Sequence, residues 1–246
     1  MIKGVTFDLW HTLIFELDET YTQRTRMIRM RETWKALKNN GHEISYDEVK
    51  VAYHVHDFML EEIWSRWEDV SERTQIRMLL DALGIKKGRK ELYDVLRSPY
   101  GDALLKNLPV MSDGIDDTLK HLKEEGYSIG LISNTGRTAG RGMKQVLDKL
   151  GILQYFDALS FSSDMKIRKP QSNIFNRTLG SMDVKPKNAA HVGDDVVTDV
   201  LASRKAGMKG ILYDKHRRGT LGRKADAVIN SFDELPEVLK KVGKKR

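Results

Sequence analysis

The sequence of 246 residues predicts an α/β fold, in which a doubly wound parallel sheet carries an inserted all-helical domain. Three observations lead to this prediction. Beyond residue 109, short apolar strands alternate with helical segments through short connections, which favours a parallel sheet with helices on both faces. Residues 4–10 form a further apolar strand. Between them, residues 19–106 show helical spacing and few strand signals, so they interrupt the sheet as a helical insertion.

The first predicted strand ends on a carboxylate. In FDLWHTLI, residues 7–14, Asp8 lies between the apolar Phe7 and Leu9, and Trp10 occupies the next exposed position. In open parallel sheets, ligands bind at the carboxyl ends of the strands. The strand therefore predicts a functional acid at that edge of the sheet.

The helical insertion divides the chain into two predicted domains. The first strand must pair with strands that follow residue 109, so we expect a core of residues 1–14 and 109–246. Residues 15–108 then form a separate helical domain. Its predicted helices cover residues 21–41, 46–68, 72–84 and 89–97.

The core contains the remaining strands and helices in alternation. Its predicted strands cover residues 128–134, 156–163, 188–195, 210–214 and 227–231. Its predicted helices cover residues 113–125, 138–150, 171–180, 197–206 and 233–242. We expect right-handed crossovers between the parallel strands.

Composition excludes several classes of site. Hydrophobic residues make up 40% and charged residues 31% of the chain, as in soluble globular proteins. No apolar run is long enough to span a bilayer, and no signal-peptide pattern precedes the first strand. The chain has no cysteine, which excludes disulfides, a thiol nucleophile and a zinc–thiolate site. A cytoplasmic protein without a membrane role is the simplest expectation.

The net charge of +7 is concentrated in two basic clusters. They contain Lys215, His216, Arg217, Arg218, Arg223 and Lys224, and Lys240, Lys241, Lys244, Lys245 and Arg246. Neither cluster has interleaved aromatic residues for base stacking, which argues against a nucleic-acid interface. A basic surface of this kind favours anionic substrates.

Polar residues collect at the carboxyl ends of the predicted strands. They are Asp8; Ser133, Asn134 and Thr135; Lys166, Arg168 and Lys169; and Asp194, Asp195 and Asp199. Carboxylates that face each other repel unless a cation lies between them. Hard oxygen ligands suit Mg²⁺. A metal ion, a lysine and a hydroxyl together would bind a phosphoryl group.

Four motifs in order resemble those of the haloacid dehalogenase superfamily. They are FDLWHTL (7–13), LISNTG (131–136), RKP (168–170) and VGDDVVTD (192–199). Together they span nearly the whole chain, and each falls on the expected element. The helical insertion between the first two motifs resembles the first type of cap domain in that superfamily.

The resemblance implies catalytic roles for three side chains. Asp8 resembles the nucleophile, which would form a covalent aspartyl intermediate and divide the reaction into two easier steps. Ser133, with Asn134 beside it, resembles the group that binds the phosphate. Lys169 resembles the cation that neutralises Asp8 and the attacked group, and it is also expected to bind substrate.

The resemblance also implies a Mg²⁺ site. Its ligands would be Asp8, the main-chain carbonyl of Trp10 and the side chain of Asp194. Asp195 and Asp199 either support that site or are acidic residues favoured near a helix N-terminus. For other conspicuous residues we expect core positions: Tyr53, Trp64 and Trp67 in the cap, and His191 in the fourth core strand.

Trp10 departs from the pattern of the superfamily's phosphatases. They usually carry an aspartate at this position, which protonates the leaving oxygen and then activates water. Indole cannot transfer that proton. General acid–base groups contribute roughly 10²–10⁴-fold to the rate, so their loss should slow the reaction by about that factor. His11, or a cap carboxylate such as Glu16 or Asp18, is a candidate replacement.

The first and fourth motifs favour different reactions. The superfamily's dehalogenases carry an aromatic residue where this chain has Trp10, because a halide needs no proton. Those enzymes also replace Gly-Asp in the fourth motif with a Ser-Asn type of motif and use no metal, whereas this chain keeps Gly193 and Asp194. We give the fourth motif more weight.

The sequence therefore predicts a Mg²⁺-dependent hydrolase of a small phosphate monoester. One alternative is a 2-haloacid dehalogenase that uses Asp8 without metal. A second is a binding protein that keeps the phosphate site but turns over negligibly. The sequence does not identify the substrate or the oligomeric state.

Overall fold

The structure is a computed structural model that describes residues 1–86, 88–216 and 224–244. Its strands are β1 (Gly4–Phe7), β2 (Ile14–Phe15), β3 (Val110–Met111), β4 (Ser128–Ser133), β5 (Ala158–Phe161), β6 (Ala189–Gly193), β7 (Lys209–Tyr213) and β8 (Ala227–Ile229). Six of them form one parallel sheet in the order β5-β4-β1-β6-β7-β8. This order confirms the doubly wound α/β fold.

The helices follow the strands in the predicted alternation. They are α1 (Tyr21–Asn39), α2 (Tyr46–Ser65), α3 (Glu72–Ala82), α4 (Arg89–Gly101), α5 (Ile115–Glu124), α6 (Gly140–Lys149), α7 (Ser162–Met165), α8 (Ser172–Ser181), α9 (Ala202–Lys205) and α10 (Leu235–Lys244). Short 3₁₀ turns cover Ala103–Lys106, Leu153–Tyr155, Pro186–Asn188 and Phe232–Glu234, and a π-helical turn covers Val196–Leu201.

Both faces of the sheet are buried, as the alternation of side chains in β4 shows. Ile129 and Leu131 belong to a hydrophobic cluster that also contains residues of α5, α6 and α10. Ile132 points the other way, into a second cluster with residues of α8 and α9. Parallel sheets covered on both sides in this way are built from nearly continuous apolar strands.

Helices α1 to α4 form a hydrophobic cluster of their own. Its buried members are Met30, Leu37, Val49, Ala52, Tyr53, Ile76, Leu79, Leu80, Ile85, Leu92, Leu96 and Tyr100. Two of the four helix starts have side-chain caps: Ser45 and Glu48 form a capping box at α2, and Ser71 accepts a hydrogen bond from Thr74 N at α3. The helical block therefore has a hydrophobic cluster separate from those that cover the sheet.

A two-stranded antiparallel ribbon connects the helical block to the sheet. β2 enters the block and β3 leaves it, with Ile14 opposite Met111 and Phe15 opposite Val110. This ribbon was not predicted, because two-residue strands carry no periodicity. It brings together the two points at which the chain passes between the sheet and the helical block.

Two helix boundaries in the block differ from the prediction. α2 ends at Ser65 because the chain turns at Trp67, which has a positive φ of 59°. The main-chain carbonyl of Trp67 then accepts hydrogen bonds from Arg168 N (3.2 Å) and Gln171 Nε2 (2.6 Å) in the core. α4 extends to Gly101 with Pro99 inside it.

No helix among the described residues is both long and apolar enough to cross a membrane. Parts of both basic clusters lie outside the described residues: residues 217–223 of the first, and Lys245 and Arg246 of the second.

Candidate active site

Asp8 lies at the carboxyl end of β1, in the middle of the sheet. Its neighbour Phe7 is opposite Leu131 in β4 and Val192 in β6. The main-chain N–H of Asp8 donates to Val192 O (2.9 Å), so pairing continues one residue beyond the strand. The residue is 7% exposed. The fold thus places a buried carboxylate at the edge predicted for ligand binding.

Lys169 is the buried cation beside Asp8. Its Nζ donates to Asp8 Oδ1 and to Asp199 Oδ1 (2.6 Å for Asp199). The main chain of Lys169 is held by Asn134, whose Nδ2 donates to Lys169 O (3.0 Å) and whose Oδ1 accepts from Lys169 N (2.8 Å). The side-chain amide of Asn134, predicted to contact substrate, is therefore engaged in positioning the lysine.

Asp199 is held from three sides. Besides Lys169, its carboxylate hydrogen-bonds to His191 Nε2 (3.2 Å) and accepts from Asp195 N (3.0 Å). A Cβ atom on Gly193 would come within 2.4 Å of an Asp199 carboxylate oxygen. Glycine at this position therefore lets Asp199 approach the end of β6.

His191 has partners for both ring nitrogens. Nδ1 lies 2.8 Å from Thr6 Oγ1, and Nε2 faces Asp199. The ring is fully buried in the sheet. This is the hydrogen-bonded core histidine that the sequence analysis expected.

Asp195 and Asp199 have different surroundings. The sequence left open whether they support the metal site or are acids favoured near a helix N-terminus, and the structure distinguishes the two residues. Asp195 caps the π-helical turn, because its carboxylate accepts from Val197 N (2.8 Å) and Thr198 N (2.7 Å). Asp199 instead lies inside the site. Only one of the two is thus a simple helix N-terminal acid.

Three carboxylates meet at this edge of the sheet. Oxygen atoms of Asp8, Asp194 and Asp199 all lie within 4.8 Å of one another. Lys169 pairs with the first and the last. Among the described residues, no basic side chain lies within the 4.0 Å ion-pair distance of Asp194. The cluster therefore has fewer cations than acids.

This excess of negative charge is reflected in the pKa values. Burial, followed by the charge of Asp199, raises the pKa of Asp8 to about 7 despite the opposing effect of Lys169. Burial and Asp199 likewise raise the pKa of Asp194 to about 6. Burial also opposes ionisation of Asp199, but Lys169 and His191 hold its pKa well below the usual range. Asp8 and Asp194 are therefore the acids whose surroundings contain too little positive charge to keep their pKa values in the usual range.

The donor set fits a divalent cation such as Mg²⁺. Mg²⁺ prefers oxygen ligands, including one or two carboxylates, and a cation would reverse the pKa increase of Asp8 and Asp194. Asp199 already shares its oxygen atoms with Lys169, His191 and a main-chain N–H. Asp8 and Asp194 are therefore the better candidate ligands.

Hydroxyl groups line the same edge. Ser133 is the last residue of β4 and is 1% exposed. The hydroxyl of Thr12 is buried, and among the described residues it has no hydrogen-bond partner. The hydroxyl of Thr135 instead accepts a hydrogen bond from Ser163 N (3.1 Å) and lies 3.2 Å from Ser162 Oγ. Ser133 and Thr12 are thus the hydroxyls that could meet a ligand.

A cleft of about 410 Å³ opens between the helical block and the core beside this site. Trp10 lines it, with its ring centroid 6.3 Å from that of Tyr21 in α1. The lining residues are Trp10, Glu16, Tyr21, Thr22, Thr25, Arg26, Arg29, Asp57, Glu61, Leu104, Gly136, Arg137, Thr138 and Met143. Trp10, at the position where the superfamily's phosphatases usually carry an aspartate, is thus an aromatic side chain in the wall of the cleft.

The structure distinguishes the candidate replacements for that acid. Glu16 lines the cleft, and its Oε2 lies 3.5 Å from His11 Nδ1. Asp18 does not line the cleft, and its carboxylate accepts hydrogen bonds from both terminal nitrogens of Arg24 and from Thr20 N. The hydrogen bond with Arg24 holds the pKa of Asp18 well below its usual range. Glu16 and His11 are better placed than Asp18.

Residues 13–213 match the sequence profile of the haloacid dehalogenase-like hydrolase family. The chain belongs to this family. The matched range begins after Asp8 and Trp10 and covers the other three motifs. The match confirms the family predicted from the motifs.

Two curated relatives and one solved structure illustrate the similarity. The hydrolase is 32% identical over 132 residues to "Haloacid dehalogenase-like hydrolase domain-containing protein 3" of Danio rerio, covering 53% of this chain and 52% of the relative. It is 34% identical over 134 residues to "Glyceraldehyde 3-phosphate phosphatase" of Pyrococcus furiosus, covering 52% and 54%. The aligned part of the hydrolase thus spans about half the length of these relatives.

The fold extends over nearly the whole of a solved structure. A 2-haloacid dehalogenase from Pseudomonas syringae pv. Tomato DC3000 superposes with a TM-score of 0.74, covering 98% of this chain and 99% of that chain. The sequence identity is 24%. At that identity the comparison shows a shared fold.

A contact between the helical block and the core was not predicted from the sequence. Asp69, just beyond α2, accepts from Arg168 Nη1 (2.7 Å) and from Ser162 Oγ (2.5 Å). The Arg168 guanidinium lies 4.9 Å from the ring centroid of Trp64. Arg168 directly precedes Lys169, so the helical block contacts the loop that carries the buried cation. No sequence spacing indicated this, because 99 residues separate Asp69 from Arg168.

Proposed function

We propose that the hydrolase is a Mg²⁺-dependent phosphatase that acts on a small phosphate monoester through an aspartyl-phosphate on Asp8. The observation that carries the proposal is the acid-rich cluster. Asp194 adds a third carboxylate beside Asp8 and Asp199, with Lys169 as the one cation that pairs with them among the described residues. An anionic site of this kind needs a metal ion before an anionic ester can enter.

The side chains of the site support the two steps of this reaction. A carboxylate oxygen of Asp8 would attack phosphorus and displace the alkoxide, which would take up a proton from Glu16, His11 or water. Water would then hydrolyse the acyl phosphate, releasing phosphate and restoring Asp8. Lys169 would neutralise Asp8 and the transferred group. Ser133 and Thr12 would donate to phosphate oxygens, while Asn134 holds the main chain of Lys169.

Asp8, the main-chain carbonyl of Trp10 and Asp194 would hold the Mg²⁺ ion. The ion would supply charge neutralisation for the phosphoryl oxygens and allow Asp8 to be ionised at neutral pH.

We further propose that residues 15–108 form a cap that opens and closes over the site. The β2–β3 ribbon contains both connections between the helical block and the core, and the cleft lies between these two parts. In the structure, Asp69 of the helical block pairs with Arg168 of the core. Opening would admit substrate, and closure would exclude water during phosphoryl transfer.

One of the relatives supports a phosphatase function. It is named a glyceraldehyde 3-phosphate phosphatase. That name applies to the relative, and the similarity to this chain covers about half of the relative's length. A small phosphorylated metabolite is the substrate class we propose, and a cleft of about 410 Å³ suits a molecule of that size.

The proposal predicts phosphate release that depends on Mg²⁺. We expect wild-type protein to release phosphate from members of a panel of small phosphomonoesters with Mg²⁺ present. The rate should fall to background with EDTA and return when Mg²⁺ is restored, because Asp8 needs the added positive charge. Phosphate can be measured colorimetrically. Release that persists unchanged in EDTA would contradict the metal dependence.

A 2-haloacid dehalogenase is the second candidate, and Trp10 is the observation that favours it. The indole forms a wall of the cleft at the position where a proton donor is missing. Asp8 would then attack carbon, and halide would leave unprotonated. Halide release from 2-chloropropionate in EDTA, without phosphate release from any ester, would support this alternative over the phosphatase.

The raised pKa values predict pH-dependent metal binding. Ionised carboxylates bind Mg²⁺, and Asp8 and Asp194 have pKa values of about 7 and about 6. Protons therefore compete with the metal below these values, and affinity should rise as pH rises through this range. We expect the Kd for Mg²⁺ to be at least about tenfold weaker at pH 5.5 than at pH 8. Titration calorimetry at the two pH values tests this, and equal Kd values would contradict it.

A further inference from the structure

One buried cation of the cleft lacks an acidic partner. Arg29 in α1 is 6% exposed and lines the cleft. Its Nε donates to Tyr100 O (2.7 Å), and its Nη2 donates to Thr138 Oγ1 (3.1 Å). Both acceptors are uncharged. Within the part of the chain that the structure describes, no carboxylate comes within 4.0 Å of this guanidinium.

Other arginines at the same cap–core boundary are paired with acids. Arg137 lies 2.6 Å from Asp57, and Arg168 lies 2.7 Å from Asp69. The pairing is expected, because an isolated buried charge is costly. Arg29 therefore differs from its neighbours in having only neutral partners.

The charge of Arg29 cannot be removed by deprotonation at physiological pH. Burial lowers the pKa of Arg29, as expected for a desolvated cation, but a guanidinium stays protonated well above neutral pH. A ligand anion in the cleft would offset the cost of burying this charge.

The guanidinium still has donors for such a ligand. Of the five N–H groups of an arginine side chain, one on Nε and one on Nη2 are used, by Tyr100 and Thr138. The remaining groups include both on Nη1, enough for a two-point contact with a carboxylate or phosphate. Trp10 lines the same cleft, so an anion bound to Arg29 would lie on the cap side of the catalytic edge.

We propose that Arg29 binds a second anionic group of the substrate, so that the enzyme prefers phosphate monoesters whose alcohol portion carries a carboxylate or another phosphate. This inference rests on the proposed phosphatase function. The reacting phosphate is assigned to Lys169 and Ser133 at the strand ends, and the second anion to the cap. The two anion sites together would select substrates with charge at both ends.

Matched pairs of esters test the preference. The carboxylate arm compares 3-phosphoglycerate with glycerol 3-phosphate, and the phosphate arm compares propane-1,3-diol bisphosphate with propyl phosphate. For each pair the measured quantity is the ratio of the two kcat/KM values with saturating Mg²⁺. We expect wild-type protein to favour the doubly anionic ester by about tenfold or more in at least one arm, which also identifies the kind of anion.

Substitutions of Arg29 then show whether this residue causes the preference. In Arg29→Met the ratio should fall towards one, while Arg29→Lys should retain part of it because it keeps the charge. Arg31→Met is the matched control, because Arg31 is exposed on the same helix. Its ratio should equal that of wild type. If Arg29→Met does not fold, Arg29→Gln replaces it.

The inference is overturned if the wild-type ratio is near one in both arms, or if it does not change in Arg29→Met or Arg29→Gln. Failure of the phosphatase proposal looks different, since no ester would then release phosphate. In that case, calorimetric binding of 3-phosphoglycerate and glycerol 3-phosphate to wild type and Arg29→Lys decides the inference. Equal affinities of wild-type protein for the two esters would reject it.

Discussion

Replacement of Asp8 by asparagine should abolish turnover without weakening the fold. Asn cannot act as the nucleophile, so we expect phosphate release to fall by at least about 10⁴-fold. The folded state should be as stable as wild type or more so in metal-free buffer at pH 8. Phosphate release and thermal unfolding of the same preparations measure the two effects.

The expected gain in stability follows from the pKa of Asp8. Burial raises this pKa from 3.8 to about 7, so the folded state binds more protons than the unfolded state between those values. Folding stability contributed by this group therefore decreases as pH rises through that range, and it stays reduced above about pH 7. A neutral Asn avoids this cost. Catalytic sites commonly reduce stability in this way.

Asp195→Asn is the matched control for Asp8→Asn. Asp195 belongs to the same acidic edge, but its side chain caps the π-helical turn through main-chain N–H groups. Asparagine is an equally good N-cap residue. We expect activity near that of wild type. Equal losses of activity in the two variants, or full activity in Asp8→Asn, would remove Asp8 from the proposed mechanism.

Replacement of Lys169 by methionine should remove both activity and a large part of the stability. Lys169 is buried between Asp8 and Asp199, and without it three carboxylates face one another. Breaking a buried ion pair from one side costs about 3–5 kcal/mol. For a chain of this size we expect Tm to fall by roughly 10 °C at pH 8 in metal-free buffer.

Three comparisons sharpen the Lys169 prediction. The loss of Tm should be smaller at pH 5.5, because Asp8 and Asp194 can then take up protons. The double variant Lys169→Met/Asp8→Asn should recover part of the stability, since one of the opposing charges is gone. Lys166→Met, an exposed lysine of the same loop, should unfold like wild type. A Lys169→Met protein as stable as wild type would show that the lysine does not neutralise the cluster.

The order of elements and motifs along the chain was sufficient to predict the architecture. Strands such as residues 128–134 and 188–195 are apolar because both faces of a parallel sheet are buried, so the pattern is visible without the structure. The acids at their ends follow from the same logic, because parallel strands present their carboxyl ends at one edge. Asp8 and Asp194 were predicted in this way, and Lys169 was predicted from a loop at the same edge.

Contacts between distant segments could not be predicted. The ribbon of β2 and β3 has too few residues to show periodicity, and the pairing of Asp69 with Arg168 joins segments 99 residues apart. The role of Asn134 as a substrate ligand remains a prediction, and in the structure its side-chain amide holds the main chain of Lys169. Local sequence shows which polar groups exist but not which of them find partners in the folded chain.

The sequence thus established the family, the sheet and the acids at its edge, since each depends on local periodicity or on motif order. The packing of the helical block against the core decided the rest. It placed Trp10 in the wall of a cleft, distinguished Glu16 from Asp18, and left Arg29 without an acidic partner. These properties depend on burial and on which charges face each other, and both arise only when distant parts of the chain come together.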